Sequence, residues 1–393
     1  MNEKLYFLFY LYLEWESCVE REYIKAIANK IYPNKVVCIN RPGDLLIGLL
    51  RRRERLRSSL PGANIHQITN NLILIRPLFL LNDYLASWVP GLNGLQCVWL
   101  RWLLKRMSLE PAYNERVIIW LFSPVHWQFA KLFPSAFVVS HLVDEYTITL
   151  QGRPKRHMLA LEQRMLKRSN IVFTLSRSLA QKKSYFHNNV FCIGQGVAFE
   201  QFAKAVTARV QLPKELSEIP RPRIGLVGNI RDWIDFSLVK TLLVSRPDWS
   251  IIFIGPIDPS ATGSVAKLNN FKNFYWLGPK PFQEIPYWIA GLDVGIIPYL
   301  HSEFTKYVNP AKLYEYLAVG LPVVMTNIGE FQKIDGCLWV TETPDGFIQA
   351  ICEALKADDL IAKQVRIQLA KNHSWENVSQ RALEYIFALI SKE

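Results

Sequence analysis

The 393-residue sequence predicts an α/β protein with two doubly wound parallel sheets, for three reasons. Short apolar runs, typical of strands buried on both faces, alternate with stretches of helical periodicity. Several of these runs end in glycine or proline, as expected where a parallel strand turns toward the next helix. The chain is also longer than one ordinary hydrophobic core supports, so two domains are expected.

The second half of the chain shows this alternation most clearly. Its predicted strands are "RIGLVG", "SIIFIGP", "NFYWLGP", "DVGIIPY" and "PVVMT", with "DFSLVKTLLVSRP" and "QEIPYWIAG" as helices between them. Ligands of such sheets bind at the carboxyl ends of the strands. Gly228, Gly255, Gly278 and Pro298 lie at those ends and are expected to line one crevice. A role in tight turns alone is the alternative for the glycines.

The segment "NPAKLYEYLAVGLPVV", residues 309–324, predicts a short helix with a lysine in its first turn. Asn309 is suited to the N-cap, and Gly320 to the residue just past the helix end. A cation near the positive end of a helix is unfavourable unless an anion joins it. Lys312 therefore indicates an anion site formed with the free backbone N–H groups. Alternatively, Lys312 and Glu315 form an exposed pair.

The first half predicts a second doubly wound domain. Candidate strands are Leu5–Leu13, Lys35–Ile39, Leu72–Ile75, Val117–Leu121, Phe137–Ser140, Ile171–Leu175 and Val190–Ile193. We expect an N-terminal domain over residues 1–205, a proline-containing linker over 206–222 and a C-terminal domain over 223–374. The final helix, residues 375–393, is expected to pack back on the N-terminal domain.

Charge is unevenly distributed along the chain. Up to Glu200 there are 26 Lys and Arg against 14 Asp and Glu, and from Gln201 onward there are 20 of each. The whole excess of +12 therefore lies in the N-terminal half. That half is expected to face something anionic, such as a lipid headgroup, a phosphorylated acceptor or nucleic acid.

Cysteine usage and hydropathy indicate a cytoplasmic protein. The six cysteines form no C-x-x-C pair, and Cys38, Cys192 and Cys352 have apolar neighbours, as expected of buried thiols in a reducing compartment. The N-terminal apolar run has no small-residue cleavage site after it, which favours a first strand over a signal peptide. No apolar run is long enough to span a membrane, although contact with its inner face is compatible with the sequence.

The motifs of the C-terminal half resemble the donor domain of GT-B glycosyltransferases, in particular family four and related polysaccharide-assembly transferases of the teichuronic-acid and exopolysaccharide type. The resemblance is carried by "GLVGNI", "RPDWSIIFIGP", "NFYWLGPKPFQEIPYWIAGLDVGIIPY" and "VNPAKLYEYLAVGLPVV". The N-terminal half resembles these enzymes in "VVSHLVDEY" and "NVFCIGQGVAFEQF". The resemblance implies two Rossmann-like domains facing each other across a cleft, with the nucleotide sugar in the C-terminal one.

The resemblance also implies site residues. Glu315 matches the family's ribose-binding glutamate, and Lys312 matches the lysine near the diphosphate. The donor-binding candidates also include Asn309, Tyr307, Asn229 and the strand-end residues Gly228, Gly255, Gly278 and Pro298. On the acceptor side, Trp15 and Arg21 match a first-strand loop that carries a tryptophan and an arginine in relatives. His126, His141 and Glu145 are further acceptor-side candidates because they lie at or just after predicted strand ends, with ordinary hydrogen-bonded histidines as the alternative for the first two. The sequence departs from the family at three places. A glycine-rich first loop is missing from the N-terminal half. Tyr307 stands where a second glutamate is usual, and Asn229 and Arg231 replace an Arg/Lys pair.

The chemistry expected is transfer of a sugar from a nucleotide sugar to a hydroxyl of a glycan or lipid-linked acceptor, in cell-surface polysaccharide or glycolipid synthesis. Retention at the anomeric carbon is implied by the resemblance alone. No Asp-x-Asp element occurs, so we expect no metal or other cofactor, and a leaving diphosphate stabilised by Lys312, the helix N-terminus and Arg231 or Arg21. Asp144 is the candidate contact of the acceptor hydroxyl, although helix capping is an alternative role.

Two clusters of cations in the N-terminal half predict contact with an anionic membrane. These are "RRRERLR", Arg51–Arg57, and the tryptophan-bearing segment Trp99–Arg106. A solvated charged face and core tryptophans are the alternatives.

Other function classes have less support in the sequence. A GT-B protein that binds nucleotide sugar without transfer, or one related to nucleotide-sugar epimerases, shares the Glu315 region. Nucleic-acid binding rests on charge alone, and no DNA- or RNA-binding motif is present, so no nucleic-acid partner is expected. A dinucleotide dehydrogenase is disfavoured because no G-x-G-x-x-G follows a strand.

Overall fold

The computed structural model describes residues 4–16, 18–44, 65–207, 212–357 and 359–392. These residues divide into two compact units. Unit 1 comprises residues 1–149, 153–193 and 379–393, and unit 2 comprises residues 150–152 and 194–378. Arg51–Arg57 lie outside the described residues.

Unit 1 is an α/β layer structure around a largely parallel sheet. Its strands are β1 (Lys4–Tyr10), β2 (Lys35–Ile39), β3 (Gly43–Asp44), β4 (Ile65–Gln67), β5 (Leu72–Ile75), β6 (Leu78–Phe79), β7 (Glu115–Leu121), β8 (Phe137–Leu142), β9 (Ile171–Thr174) and β10 (Val190–Cys192). Its helices are α1 (Glu20–Lys30), α2 (Asp83–Ala86), α3 (Leu92–Arg106), α4 (Arg156–Arg168) and α5 (Arg177–Ser184). The main sheet has the order β10-β9-β8-β7-β1-β2-β5-β4, in which only β4 runs antiparallel to its neighbour.

The central strand of unit 1 explains why the sheet forms here. In β1, residues from Tyr6 to Tyr10 are all buried, so side chains on both faces of the strand leave water. Such two-sided burial is what parallel strands covered by helices require. The carboxyl ends of β1, β2 and β7 consequently meet at one edge of the sheet.

Unit 2 contains a second, wholly parallel sheet. Its strands are β11 (Arg223–Val227), β12 (Ser250–Ile254), β13 (Phe274–Trp276), β14 (Val294–Ile297), β15 (Val323–Thr326) and β16 (Leu338–Thr341), in the order β13-β12-β11-β14-β15-β16. Its helices are α6 (Phe199–Thr207), α7 (Lys214–Ser217), α8 (Phe236–Ser245), α9 (Thr262–Leu268), α10 (Ile285–Ala290), α11 (Ala311–Ala318), α12 (Pro344–Lys356) and α13 (Leu360–Asn372). The doubly wound α/β class predicted from the sequence is therefore confirmed.

The boundaries between the units differ from the predicted ones. The division falls after Ile193 rather than after residue 205, because Phe199 and Phe202 of α6 pack in the core of unit 2. Within the predicted linker, Leu216 and Ile219 pack in the same core.

The last helix, α14 (Trp375–Ile390), belongs to both units. Its residues from Ser379 onward belong to unit 1, where the Tyr385 ring stacks on Phe191 at 4.2 Å. The backbone carbonyl of Ile193 accepts a hydrogen bond from Arg381 at 3.0 Å. Aromatic stacking and a charged donor thus both hold this segment on unit 1.

The six cysteines are free thiols. Cys38 is buried, as expected from its apolar neighbours, but Cys192 and Cys352 are partly exposed. Among the described residues, no helix is both long and apolar enough to cross a membrane.

Candidate functional site

The carboxyl ends of the unit 2 strands meet where the sequence places them. Gly228, Gly255, Gly278 and Pro298 follow β11, β12, β13 and β14 respectively. The Gly228 N–H donates to Ile254 at 2.8 Å, and the Gly255 N–H donates to Gly278 at 2.9 Å. A Cβ atom at Gly255 would lie 2.0 Å from the Gly228 carbonyl oxygen, so this close approach of two backbones requires glycine.

The helix that follows, α11, begins one residue later than predicted. Ala311 is its first residue and Pro310 occupies the cap position with an extended backbone, so the assignment of Asn309 as the N-cap was wrong. No side chain caps the helix. Tyr307 ends a short 3₁₀ turn that leads into this segment.

Lys312 points its ammonium group at the strand ends. The side chain is buried, its Nζ donates to the Tyr299 hydroxyl at 2.5 Å, and it lies 4.8 Å from the centre of the Tyr299 ring. A Cβ atom at Gly228 would lie 3.6 Å from the same Nζ, which places the charge beside the end of β11. Among the described residues, Lys312 and Glu315 form no ion pair, so the alternative of an exposed pair is wrong.

Glu315 lies one turn further along α11 and is partly exposed. The carboxyl group is surrounded by protein atoms that remove it from water, and this desolvation raises its pKa to about 7. The nearby charge of Lys312 opposes the rise. Within the described part of the chain, no hydrogen bond to the carboxylate offsets that burial. A ligand that donates hydrogen bonds would do so.

The two polar residues after β11 have different surroundings. Asn229 is exposed. Arg231 has its Nε 3.6 Å from Asp258 Oδ2, and its guanidinium lies 4.6 Å from the centre of the Trp233 ring. Arg231 is therefore held by local contacts at this edge of the sheet.

Two predicted acceptor-side residues lie in the interior of unit 1, which does not fit contact with an acceptor. His141 is buried among aromatic rings, its Nδ1 accepts a long 3.4 Å hydrogen bond from Trp120, and burial lowers its pKa to about 3. Glu145 is also buried, and its carboxylate contacts Lys183 at 2.9 Å and Lys182 at 3.1 Å. Sequence position alone could not distinguish these core positions from the strand end nearby.

Trp15 and Arg21 are also committed to local structure. Trp15 is buried, and its backbone N–H donates to Asn40 Oδ1 at 2.8 Å. Arg21 forms an ion pair with Glu22 at 3.0 Å.

Asp144, in contrast, is exposed on the loop after β8, and its charge contributes to the raised pKa values of Tyr12 and Tyr146.

His126 belongs to a cluster at the strand ends of unit 1 that the sequence did not reveal in full. Its ring stacks on Tyr10 with centres 3.9 Å apart, and its Nε2 lies 3.3 Å from Asp83 Oδ2. The Tyr10 hydroxyl donates to the same carboxylate at 3.0 Å. Asp83 is the first residue of α2 and follows the capping residue Asn82. Its sequence context indicates only a role at the start of this helix.

A cavity of about 420 Å³ opens beside this cluster. It is lined by Tyr12, Arg41, Asn82, Asp83, Tyr84, Ser123, Val125, His126, Tyr146, Lys155 and Met158. Apart from His126, none of these residues was predicted from the sequence as a site candidate. They come together through the fold, since they follow β1, β2, β7 and β8 or lie at the starts of α2 and α4. No group of three or more potential metal ligands occurs among the described residues.

Residues 221–357 match the family model for glycosyl transferases group 1. A curated protein named "Putative teichuronic acid biosynthesis glycosyltransferase TuaH", from Bacillus subtilis (strain 168), is 26% identical over 303 residues, which cover 72% of this chain and 75% of that protein.

The fold is shared with several solved structures. A glycosyltransferase from Rickettsia africae ESF-5 superposes with a TM-score of 0.69 at 16% identity, over 100% of both chains. Anabaena Alr3699/HepE, solved in complex with UDP, gives 0.66 at 12% identity over 98% of this chain and 100% of that one. The α,α-trehalose 6-phosphate synthase of Burkholderia multivorans gives 0.68 at 12% identity over 99% of both. These likenesses establish the GT-B fold.

Proposed function

We propose that this chain, a glycosyltransferase of the GT-B fold, moves a hexosyl group from a nucleotide sugar to a hydroxyl of a glycan or lipid-linked acceptor in cell-surface polysaccharide or glycolipid synthesis. One observation carries the donor half of this proposal. A buried ammonium group and the start of α11, which has no side-chain cap in the described structure, lie at the carboxyl ends of a parallel sheet. The Glu315 carboxyl group, one turn further along the helix, accepts no hydrogen bond from the described residues. The relative named for teichuronic acid synthesis supports the polysaccharide half.

The proposed donor site divides its work between two side chains. Lys312 and the first N–H groups of α11 meet the diphosphate, where negative charge develops as the sugar leaves. Glu315 accepts hydrogen bonds from the two ribose hydroxyls. Transfer in this scheme requires no metal, because Lys312 and the helix supply the positive potential, and Arg231 lies at the same edge of the sheet. Retention at the anomeric carbon remains part of the proposal.

A thermal-shift screen against UDP-, GDP-, ADP- and dTDP-sugars tests donor binding. One family of nucleotide sugars should raise the melting temperature, since a ligand that binds only the folded state stabilises it. Product analysis with an added acceptor then separates transfer from binding alone. A stabilising nucleotide sugar that is neither hydrolysed nor transferred would favour a non-catalytic protein, in line with the unusual Tyr307, and an isomerised sugar would favour an epimerase.

Donor affinity is expected to rise with pH between about 6 and 8. The pKa of Glu315 is about 7, and the ionised form accepts ribose hydroxyls better than the protonated form. If only the ionised form binds, its population and hence the affinity rise about tenfold over this interval. Titration of the best nucleotide sugar at several pH values measures the effect. Glu315→Gln should remove the pH dependence and Glu284→Gln, an exposed change elsewhere in unit 2, should keep it.

On the acceptor side, Asp144 stays our candidate for contact with the acceptor hydroxyl. It is the exposed carboxylate next to buried Glu145, on the loop that leaves the carboxyl end of β8. This placement puts the carboxylate at the strand-end edge of unit 1.

We also propose that α3 rests on an anionic membrane surface on the cytoplasmic side. Leu95, Val98 and Trp102 lie three and four residues apart on one face of the helix and are 68%, 58% and 50% exposed. Arg106 stacks over Trp102 at 5.5 Å, so positive charge lies beside the apolar stripe. An exposed apolar stripe with flanking cations is typical of interfacial helices. Leu103 and Leu104, in contrast, are buried in the core.

The membrane proposal predicts salt-sensitive co-sedimentation with vesicles that contain phosphatidylglycerol, and much weaker binding to phosphatidylcholine alone. Val98→Ser combined with Trp102→Ser should weaken vesicle binding about tenfold or more, because it removes apolar area that would enter the interface. Val244→Ser, an exposed change in unit 2, is the control. Equal recovery of wild type and double variant with anionic vesicles would contradict a role for α3.

A further inference from the structure

The cavity of unit 1 is lined by two cations that form no ion pair with any described residue. Arg41 follows β2 and Lys155 precedes α4, and both side chains are exposed and line the cavity. Within the described part of the chain, neither side chain forms an ion pair or a hydrogen bond. The two cations come from segments more than a hundred residues apart, so the fold itself brings them to one cavity.

The carboxylates near these cations are already engaged. Asp83 is the acidic residue of the lining, and it accepts from Tyr10 and contacts His126. Glu20 accepts from the Tyr12 hydroxyl at 3.3 Å and does not line the cavity. Asp144 acts electrostatically on Tyr12 and Tyr146 and is likewise outside the lining. The first turn of α4 contains no acidic residue and no side-chain cap, so its positive end adds to the potential.

The remaining lining suits a sugar ring. Tyr12, Tyr84 and Tyr146 supply aromatic surface, against which the C–H face of a pyranose packs. His126 is buried, and the contact of its Nε2 with Asp83 holds the ring at the wall of the cavity. The volume of about 420 Å³ lies in the range of small-ligand sites.

We infer that this cavity binds the acceptor through a sugar that carries an oxyanion, either a phosphate or a carboxylate. Arg41 and Lys155 contact the oxyanion, and the tyrosines pack on the ring. The acceptor role rests on the proposed transferase function and narrows it to anionic saccharides. The binding itself does not depend on that function.

Ligand-observed NMR titration with the full chain tests the inference directly. Glucose 6-phosphate and glucuronic acid stand for the two oxyanions, and glucose and inorganic phosphate report on the ring and the anion separately. At least one anionic sugar should bind about tenfold or more tightly than glucose, since a charge-assisted contact is stronger than a neutral one. It should also bind more tightly than inorganic phosphate. Equal affinity for glucose and both anionic sugars would overturn the inference, and so would equal affinity for inorganic phosphate and the preferred sugar.

The variant pair Arg41→Gln and Lys155→Gln should remove the preference for the anionic sugar and leave weak binding of glucose. Lys167→Gln with Lys240→Gln removes the same net charge at exposed positions away from the cavity. A loss of preference as large in this control pair would show a general charge effect and overturn the inference. Equal urea midpoints for both pairs verify that each variant is folded.

Donor binding separates this inference from the proposed function. The cavity variants should keep the melting-temperature rise caused by the best nucleotide sugar, because that site is built from α11 and the strand ends of unit 2. If a nucleotide sugar raises the melting temperature but no anionic sugar binds more tightly than glucose, only this inference is wrong. If an anionic sugar binds more tightly than glucose but no nucleotide sugar raises the melting temperature, the transferase proposal is wrong and the assignment of the cavity stands.

Discussion

Replacing Lys312 with alanine is expected to lower turnover by about two to three orders of magnitude, the size found when one preorganised group that stabilises developing negative charge is removed. The side chain is only 8% exposed, and the hydrogen bond to Tyr299 fixes its ammonium beside the end of β11. A charge held in place before the reaction needs no reorganisation when the diphosphate departs. Steady-state kinetics with the identified nucleotide sugar measure the loss.

The division between kcat and KM distinguishes a catalytic contact from simple attraction of the donor. If Lys312 stabilises the leaving diphosphate more than the bound substrate, most of the loss appears in kcat. Tyr299→Phe should give a smaller loss, because it frees the ammonium group without removing its charge. Lys267→Ala, an exposed lysine in α9, controls for net charge. Near-wild-type turnover of a folded Lys312→Ala protein would remove Lys312 from the site.

The strands could be predicted because each is a short continuous apolar run that ends in a turn residue. β2 and β5 have the predicted bounds, and β11 and β12 end at the glycines that permit the next turn. The predicted start of α11 was wrong by one residue, because Asn309 and Pro310 are both residue types common at the start of a helix. β16 was missed because its four residues contain no turn signal of their own.

The donor site was more accessible to sequence reasoning than the rest. Lys312 and Glu315 share one helix, so their spacing alone places them together, whereas the partner Tyr299 comes from the end of β14. In unit 1, Asp83 contacts His126, and Arg41 and Lys155 line the same cavity although they are far apart in sequence. Such pairs depend on the order of strands in the sheet, which local pattern does not encode.

Replacing Lys183 with methionine is expected to destabilise unit 1 by about 3–5 kcal/mol, because it removes the buried cation that two buried carboxylates share. The Lys183 side chain is 1% exposed and contacts Glu145 at 2.9 Å and Glu162 at 2.5 Å. Methionine keeps much of the length and apolar volume of the lysine, so the change isolates the charge. Urea unfolding monitored by circular dichroism measures the shift in midpoint.

Lys182 provides a matched control for this change. It contacts the same Glu145 carboxylate at 3.1 Å but is 30% exposed, so water already screens the pair. Lys182→Met should therefore cost no more than about 1 kcal/mol. Two adjacent lysines with one shared partner thus compare a buried ion pair with a partly solvated one.

The pH dependence gives a second measure of the same network. Burial opposes the charge on Glu145, but Lys183 and Thr147 hold its pKa to about 2, below its ordinary value near 4.5. A depressed pKa gives stability that is present above pH 4.5 and is lost as the pH falls toward 2. For Glu162, burial outweighs the charge of Lys183 and raises the pKa of the carboxyl group. Its protonation at low pH therefore removes the cost of burying a charged group. The difference in free energy of unfolding between wild type and Lys183→Met should therefore decrease as the pH falls, because protonated carboxyl groups carry no charge for a cation to balance. A gap that stays constant from pH 7 to pH 3 would mean that lost packing, and not an uncompensated charge, destabilises the variant.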